Sequence, residues 1–414
     1  MDVARLLFCS GSKDIAERGQ SKPAAYRLFV IVVQSGQHQL FSTDITDSPI
    51  SQAIQAFPAY ISQSRALYYI CICIQLHLSQ HADSEASHYY GYALRAFREE
   101  LDDPLRTQHD GTLASAIFLC TILTSTDWTI HLHGANSILE DRLSRTTTTT
   151  TATLDSPSPT APLSAMTSTI LEALGYMDLP PFTLGRKSPP LNIWARHCQA
   201  TRSEDDDHIE PVSGLPCSLI DVFSRIDDDD DDGSEQRFWD WKGYPGEPLQ
   251  CQLWEAYRFA GILDARRRRR GWRRLASSSA SSTQDSTVAA GRPAASTTLI
   301  LSRLVSAVDA LHRGIEAGGG GGGDGSDGGR GLLVVNALVY PLWHAGVEIK
   351  PVDGLRRWHG LVDGWWALLG EREGEGRMRD LAWAYAACCE ERRAGRDGPV
   401  DEIIRARGVE VALV

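Results

Sequence analysis

The chain is 414 residues long, 42% hydrophobic and 23% charged, with a formal net charge of −12. That balance excludes a wholly disordered chain. The acidic total argues against a surface coated for nucleic acid, although not against one local basic patch. The longest apolar run, Ala66 to Ile74, is nine residues, far short of a membrane span.

From the start of the chain, MDVARLLFCSGSK lacks the charged-then-apolar pattern of an export signal. The first 49 residues carry little that can be assigned beyond LFVIVV (Leu28 to Val33), which looks strand-like. The nine cysteines are an odd number in a long chain and form no C-x-x-C, so reduced thiols inside a cell are expected. Cys71 and Cys73 form C-x-C within an apolar run and read as core packing.

Helical spacing then takes over. Tyr90, Ala93, Leu94 and Phe97 fall at i, i+3, i+4, i+7. Leu113, Ala116, Ile117 and Cys120 repeat the pattern, with Leu123 on the same face and Asp110 placed as the expected N-cap. Next comes WTIHLHGA (Trp128 to Ala135). Its His131 and His133 would point about 200° apart on a helix and could not chelate a metal together.

Four stretches, near 144–164, 203–235, 276–297 and 317–331, read as disordered inserts. They hold the threonine run Thr146–Thr151, the acidic blocks Glu204–Asp207 and Asp227–Asp232, the serine-rich Ser277–Ser282 and the glycine run Gly318–Gly323. Between the second and third lies RRRRRGWRR. Its arginines, Arg266, Arg267, Arg268, Arg269, Arg270, Arg273 and Arg274, must be solvated or paired with anions. Three roles stay open for them: a nuclear-import patch, direct phosphate contact, or pairing in cis with Asp227–Asp232.

Beyond the inserts, Leu301, Leu304, Val305, Val308, Leu311 and Ile315 form a long stripe, and Leu381, Ala384, Tyr385 and Cys388 another. Trp358, Trp365, Trp366 and Trp383 crowd the same block; they read as core, with an apolar ligand pocket as the lesser alternative. One strand-like run does not make a sheet, so the chain is expected to be all-α: a multi-helix, bundle-like domain over 50–414, interrupted by the inserts. No phosphate loop, no nucleophile elbow and no H-E-x-x-H zinc helix is present, and no catalytic set can be named.

The motifs, taken in order, resemble a known family. YYGYALRAFREEL, HDGTLASAIFLCTIL and WTIHLHGA are similar to the fungal-specific transcription factor domain, the helical regulatory region that follows a zinc binuclear cluster. The residues that carry the likeness are Tyr90 with Ala93 and Leu94, Asp110 with Leu113, then Trp128, His131, Leu132, Gly134 and Ala135. YMDLPPFTLG (Tyr176 to Gly185) resembles the family's middle segment. YPLWHAGVE (Tyr340 to Glu348) resembles its P-L-F-x-A-G-x-E through Pro341, Leu342, Ala345, Gly346 and Glu348, with Trp343 in place of the usual phenylalanine. RGVEVALV resembles its closing residues.

The physical roles expected of these residues are structural. Gly134 and Ala135 would admit a neighbouring helix, Trp128 and His131 share a face, Pro341 starts or kinks a helix, and Gly346 gives a second close contact. The resemblance implies a nuclear transcriptional regulator, not an enzyme. It also implies homo- or heterodimers with related transcription factors, contact with the transcription machinery, a small-molecule effector, and no membrane. The family's zinc cluster needs six close-spaced cysteines, whereas the N-terminal segment has only Cys9. No metal ligand and no cofactor is therefore expected within these residues, with zinc only in a module missing from them, and DNA is expected only through that module or a partner. The alternative is a small-molecule-sensing or heterodimerising helical module without DNA binding.

Overall fold

The computed structural model describes residues 59–78, 83–122, 128–150, 165–200, 202–203, 207–227, 233–279, 295–319, 337–349, 356–372, 375–393 and 400–413. The strand-like Leu28–Val33 run and most of the glycine run lie outside the described residues. What is described is almost entirely helical, in agreement with the all-α expectation.

Helix α1 (Arg65–Leu78) is apolar on nearly every side and sits between α2 (Asp83–Leu101) and α3 (Asp110–Ile122). Cys71 and Cys73 are buried in it, and burial pushes their thiols up to about 12 and about 11. Its N-terminus needs acceptors for orphan N–H groups. Ser64 Oγ takes Leu67 N at 3.0 Å, and the buried Glu100, at the end of α2, takes Ala66 N at 3.0 Å and Ser64 Oγ at 2.8 Å.

Asp110 does not cap α3 as expected. The N–H groups of Thr112 and Leu113 go to the His109 carbonyl, which places Asp110 inside the first turn. Its Oδ1 accepts instead from Arg142 Nη1 (3.2 Å) and Thr167 Oγ1 (3.1 Å). The fork of Arg142, nearly buried, also fills the Thr107 and His109 carbonyls. A guanidinium taken from water needs every one of these acceptors.

Helix α4 (Thr129–Thr150) continues through Thr146–Thr150, inside the stretch near 144–164 expected to be an insert. Extending an existing helix costs little per residue even for threonine. The stretch near 203–235 is also more structured than its acidic content suggests. Described within it are α6 (Cys217–Ser224) and the start of α7 (Gly233–Asp240), with Glu210, Leu219 and Phe223 buried. The two acidic blocks flank an apolar segment, Leu215 to Phe223, that a wide charge window averages away.

Helix α5 (Ala165–Met177) leads through a short 3₁₀ turn, Pro180–Phe182, into β1 (Thr183–Leu184). The long α8 (Pro248–Ser279) opens on a proline, whose missing N–H costs nothing there. It packs along α9 (Thr297–Gly319) and against α10 (Val339–Glu348). Then follow α11 (Arg356–Arg372), α12 (Glu375–Arg393), α13 (Val400–Ala406) and β2 (Val411–Ala412). β2 pairs antiparallel with β1, Thr183 opposite Ala412 and Leu184 opposite Val411.

At the centre is an aromatic cluster drawn from five segments. Phe182 lies 4.6 Å from Tyr176, 4.9 Å from Tyr340 and 5.2 Å from Phe223, centroid to centroid, and Tyr257 stacks on Tyr340 at 5.5 Å. Offset and edge contacts of this kind add to the energy of plain burial. The rings come this close to α8 because Gly261 faces them. A Cβ there would meet Phe238 at 2.4 Å.

Candidate functional site

The start of α4, the segment Pro180 to Pro190, α10 and the closing residues, far apart in sequence, come together around Glu410 and an adjoining cleft. Glu410, fully buried, accepts Thr129 N (3.0 Å), Thr129 Oγ1 (3.1 Å) and Lys187 N (2.9 Å). It thereby joins the start of α4, the segment after β1 and the approach to β2. Ser188 Oγ donates to Thr129 Oγ1 at 2.8 Å. Asp178 orders the next stretch by accepting Leu191 N (2.9 Å), Ile193 N (3.1 Å) and the buried Arg186 guanidinium (2.6 Å).

These contacts frame a cleft of about 540 Å³. One wall is Pro180 to Pro190, and the others come from α8 (Asp264, Arg267, Arg268), α10 (Trp343, His344) and α13 (Val400 to Arg405). The α13 wall is fixed by Asp401, which accepts Gly185 N at 2.6 Å, and by Arg405, which donates to the Arg186 carbonyl at 2.7 Å. Gly185 is a necessity here: its φ is +67°, and a Cβ would lie 2.2 Å from the Val409 carbonyl.

The arginine block meets the cleft from one side. Arg266 pairs with Glu235 (2.5 Å), Arg267 with Glu348 (2.6 Å), and Arg268 with Asp227 (3.1 Å) and Asp264 (3.2 Å). Burial alone would lower Arg267 and Arg268, but Glu348 for the first and Asp264 with Asp227 for the second more than offset it, so both stay charged. Of the three roles open to the block, pairing in cis with the Asp227–Asp232 block is met by Arg268 with Asp227, whereas Arg266 and Arg267 pair with carboxylates outside it. An import receptor needs an accessible basic segment, and the charges of Arg266, Arg267 and Arg268 are instead engaged by carboxylates of their own chain. Arg269 is half-buried, Arg270 is exposed, and the side chains of Arg273 and Arg274 lie outside the described residues.

The family-motif residues divide by burial. Trp128, Leu132, Ala135, Leu342 and Ala345 are in the core and His131 is half-buried. Pro341 lies in the first turn of α10, where no N–H is required, so it starts the helix. Gly346 gives the expected close contact, with Tyr385 3.3 Å from where a Cβ would stand. Gly134 does not: it is exposed, and the space over it is open. Its turn of α4 faces outward while Ala135 faces in. The C-terminal tryptophans are placed variously. Trp365 is buried against His312 at 5.4 Å, and Trp383 lies under Arg407 at 5.7 Å. The tryptophan that lines the cleft is Trp343.

The chemistry of the cleft rests on two surplus donors. His344 Nδ1 is 3.3 Å from Arg267 Nη1, which can only donate. Nδ1 therefore accepts, and the imidazole proton is on Nε2. Burial, then the Arg267 and Arg268 charges, hold His344 well below the usual imidazole range, so it is neutral. Nε2–H is 3.9 Å from Asp264 Oδ2, too far for a hydrogen bond. It has no partner among the described residues, and neither does Trp343 Nε1–H. Pro180, Pro181, Leu184 and Val400 add apolar surface. Two unmatched donors beside apolar walls suit a small molecule with acceptor oxygens on an apolar body.

Metal-ligand side chains come together elsewhere. His131 and His133 share α4 but project apart, whereas Glu172, His208 and Cys217 place their ligand atoms within 4.8 Å of one another. Spacing rules miss that set because its members come from α5 and two ends of a loop.

Residues 37–237 match the family model for the fungal specific transcription factor domain. Searches of curated proteins and of solved structures found no match.

Proposed function

From the fungal specific transcription factor domain as premise, we infer that this chain is a nuclear regulator of transcription of the fungal type, and not an enzyme. Its helical body is the regulatory half, and it reaches DNA through a related partner or a module outside these residues. The observation that carries this reading is the match of residues 37–237 to that domain, and the meeting of the α4 start, the segment after β1, α10 and the closing residues around Glu410 and the cleft agrees with it. Recruitment can be read directly. The full chain is fused to a heterologous DNA-binding domain and transcription from a matching reporter is measured. A change in output in either direction, relative to the DNA-binding domain alone, is expected; identical output overturns the assignment.

The surplus donors of Trp343 and His344 favour one refinement: the cleft is the effector site, and its ligand is a small carboxylic acid with an apolar body. Phenylacetate and 4-methyl-2-oxovalerate are suitable probes, with their amides as controls. The acids should raise the melting temperature of the full chain, and Trp343→Phe with His344→Gln should remove the effect. No shift with either acid would sink the effector reading and leave the reporter result standing.

A further inference from the structure

We propose that Glu172, His208 and Cys217 form a zinc site that clamps the loop 207–217 onto α5. The loop is already set for the task. Cys217 N donates to the His208 carbonyl at 2.8 Å, so the two ligands face each other across a bridge between Ile209 and Pro216. Inside the loop, Glu210 N donates to the Leu215 carbonyl (2.8 Å), and the Glu210 carboxylate takes Val212 N (3.0 Å) and Ser213 N (2.7 Å). Gly214, at φ +71°, makes the turn. Asp207 accepts Ser218 N at 2.9 Å and closes the base. Glu172 reaches over from α5.

The three ligand atoms lie within 4.8 Å of one another. His208 Nε2 is 3.0 Å from Glu172 Oε1 and 3.5 Å from Cys217 Sγ. An imidazole nitrogen has one in-plane direction, which holds either one proton or one lone pair. One proton serves one of the two neighbours well; a metal ion in the same place serves both. Zinc with ligands at about 2.0–2.3 Å in a tetrahedron separates nitrogen from sulfur by about 3.6 Å and nitrogen from oxygen by about 3.3 Å. The two distances from His208 Nε2 need adjustments of about 0.1–0.3 Å, and Glu172 and Cys217 already lie within 4.8 Å of each other.

The donor set selects the metal. Thiolate and imidazole suit zinc, while calcium and magnesium require oxygen. Cys217 is buried, Glu172 is largely so, and the His208 side chain is 43% exposed, which leaves an entry path and a fourth position for water. On binding, the thiol proton and any imidazole proton pass to solvent, so uptake of the ion releases acid. No oxidation or reduction is involved. The clamp is independent of the effector reading of the cleft.

Cobalt is the probe, because cobalt bound to thiolate absorbs in the near ultraviolet. The full chain, stripped with a chelator, should bind one equivalent with a thiolate-to-cobalt band, and zinc should displace it. Cys217→Ser should abolish the band. His208→Gln should weaken binding at least about tenfold. His208 is partly exposed, so that variant remains informative if Cys217→Ser fails to fold. Absence of the band in the parent chain overturns the proposal. So does a band unchanged in both variants, since another of the nine cysteines would then be the ligand.

Discussion

The Glu410 staple and the cleft share a wall at Lys187 and Ser188, yet their polar groups are arranged in opposite ways. At the staple, a backbone N–H of Thr129, its hydroxyl and the N–H of Lys187 all find carboxylate oxygens. At the cleft, Trp343 and His344 bring N–H groups with no acceptor among the described residues. A buried donor left unpaired costs about 1–3 kcal/mol. Buried indole N–H groups of Trp128 and Trp365 are likewise without an acceptor among the described residues, so what sets Trp343 and His344 apart is their place in the lining of the cleft. The contrast separates polar groups paired within the chain from polar groups that line the cleft unpaired.

The largest effect should come from breaking the staple. Glu410→Gln keeps the shape but sets an amide NH₂ against backbone N–H groups. It should lower unfolding free energy by about 3 kcal/mol, read from denaturant midpoints. Trp343→Phe sharpens the contrast from the other side. It removes a donor that has no acceptor, so stability should change by no more than about 1 kcal/mol, while affinity for the acid probes falls at least about tenfold. A stability loss as large as that of Glu410→Gln would make the indole N–H structural.

The smallest effect is on pH dependence. The folded His344 titrates below its unfolded value of about 6.5, because protonation costs the buried form more. Its contribution to stability is therefore complete above about pH 6.5 and is lost as pH falls through the depressed folded value. Unfolding midpoints measured at pH 7.5, 6 and 5 should show this slope, and His344→Gln should flatten it.

The sequence carries the helical class clearly, because stripes such as Leu301–Leu311 repeat at the period of a helix. The family motifs are legible for the same reason: each is a short local pattern. Partners are not. Thr129 and Glu410 are 281 positions apart, and nothing local in either says that they meet. The arginine block shows the same limit. Seven arginines within nine positions must be solvated or paired, and only the fold shows that Glu235 and Glu348 come to them from 31 and 81 positions away. Gly134 fails for a related reason. Composition says that a helix can approach a glycine, while the orientation of that turn decides whether one does. Glu172, His208 and Cys217 escape because short-spacing rules look for ligands within one turn.

The order of synthesis gives the staple a further consequence. Thr129 and Lys187 leave the ribosome long before Glu410 exists. At typical elongation speeds the gap of 281 residues lasts about 15–55 s. Through that interval the α4 entrance, the unpaired edge of β1 and one side of the cleft stand open. Assembly of this region is therefore a late event in the life of each nascent chain, and the half-made domain is a natural client for chaperones. A pulse-labelled chain halted before residue 400 should remain protease-sensitive at the β1 segment and become resistant once the last fourteen described residues have been added.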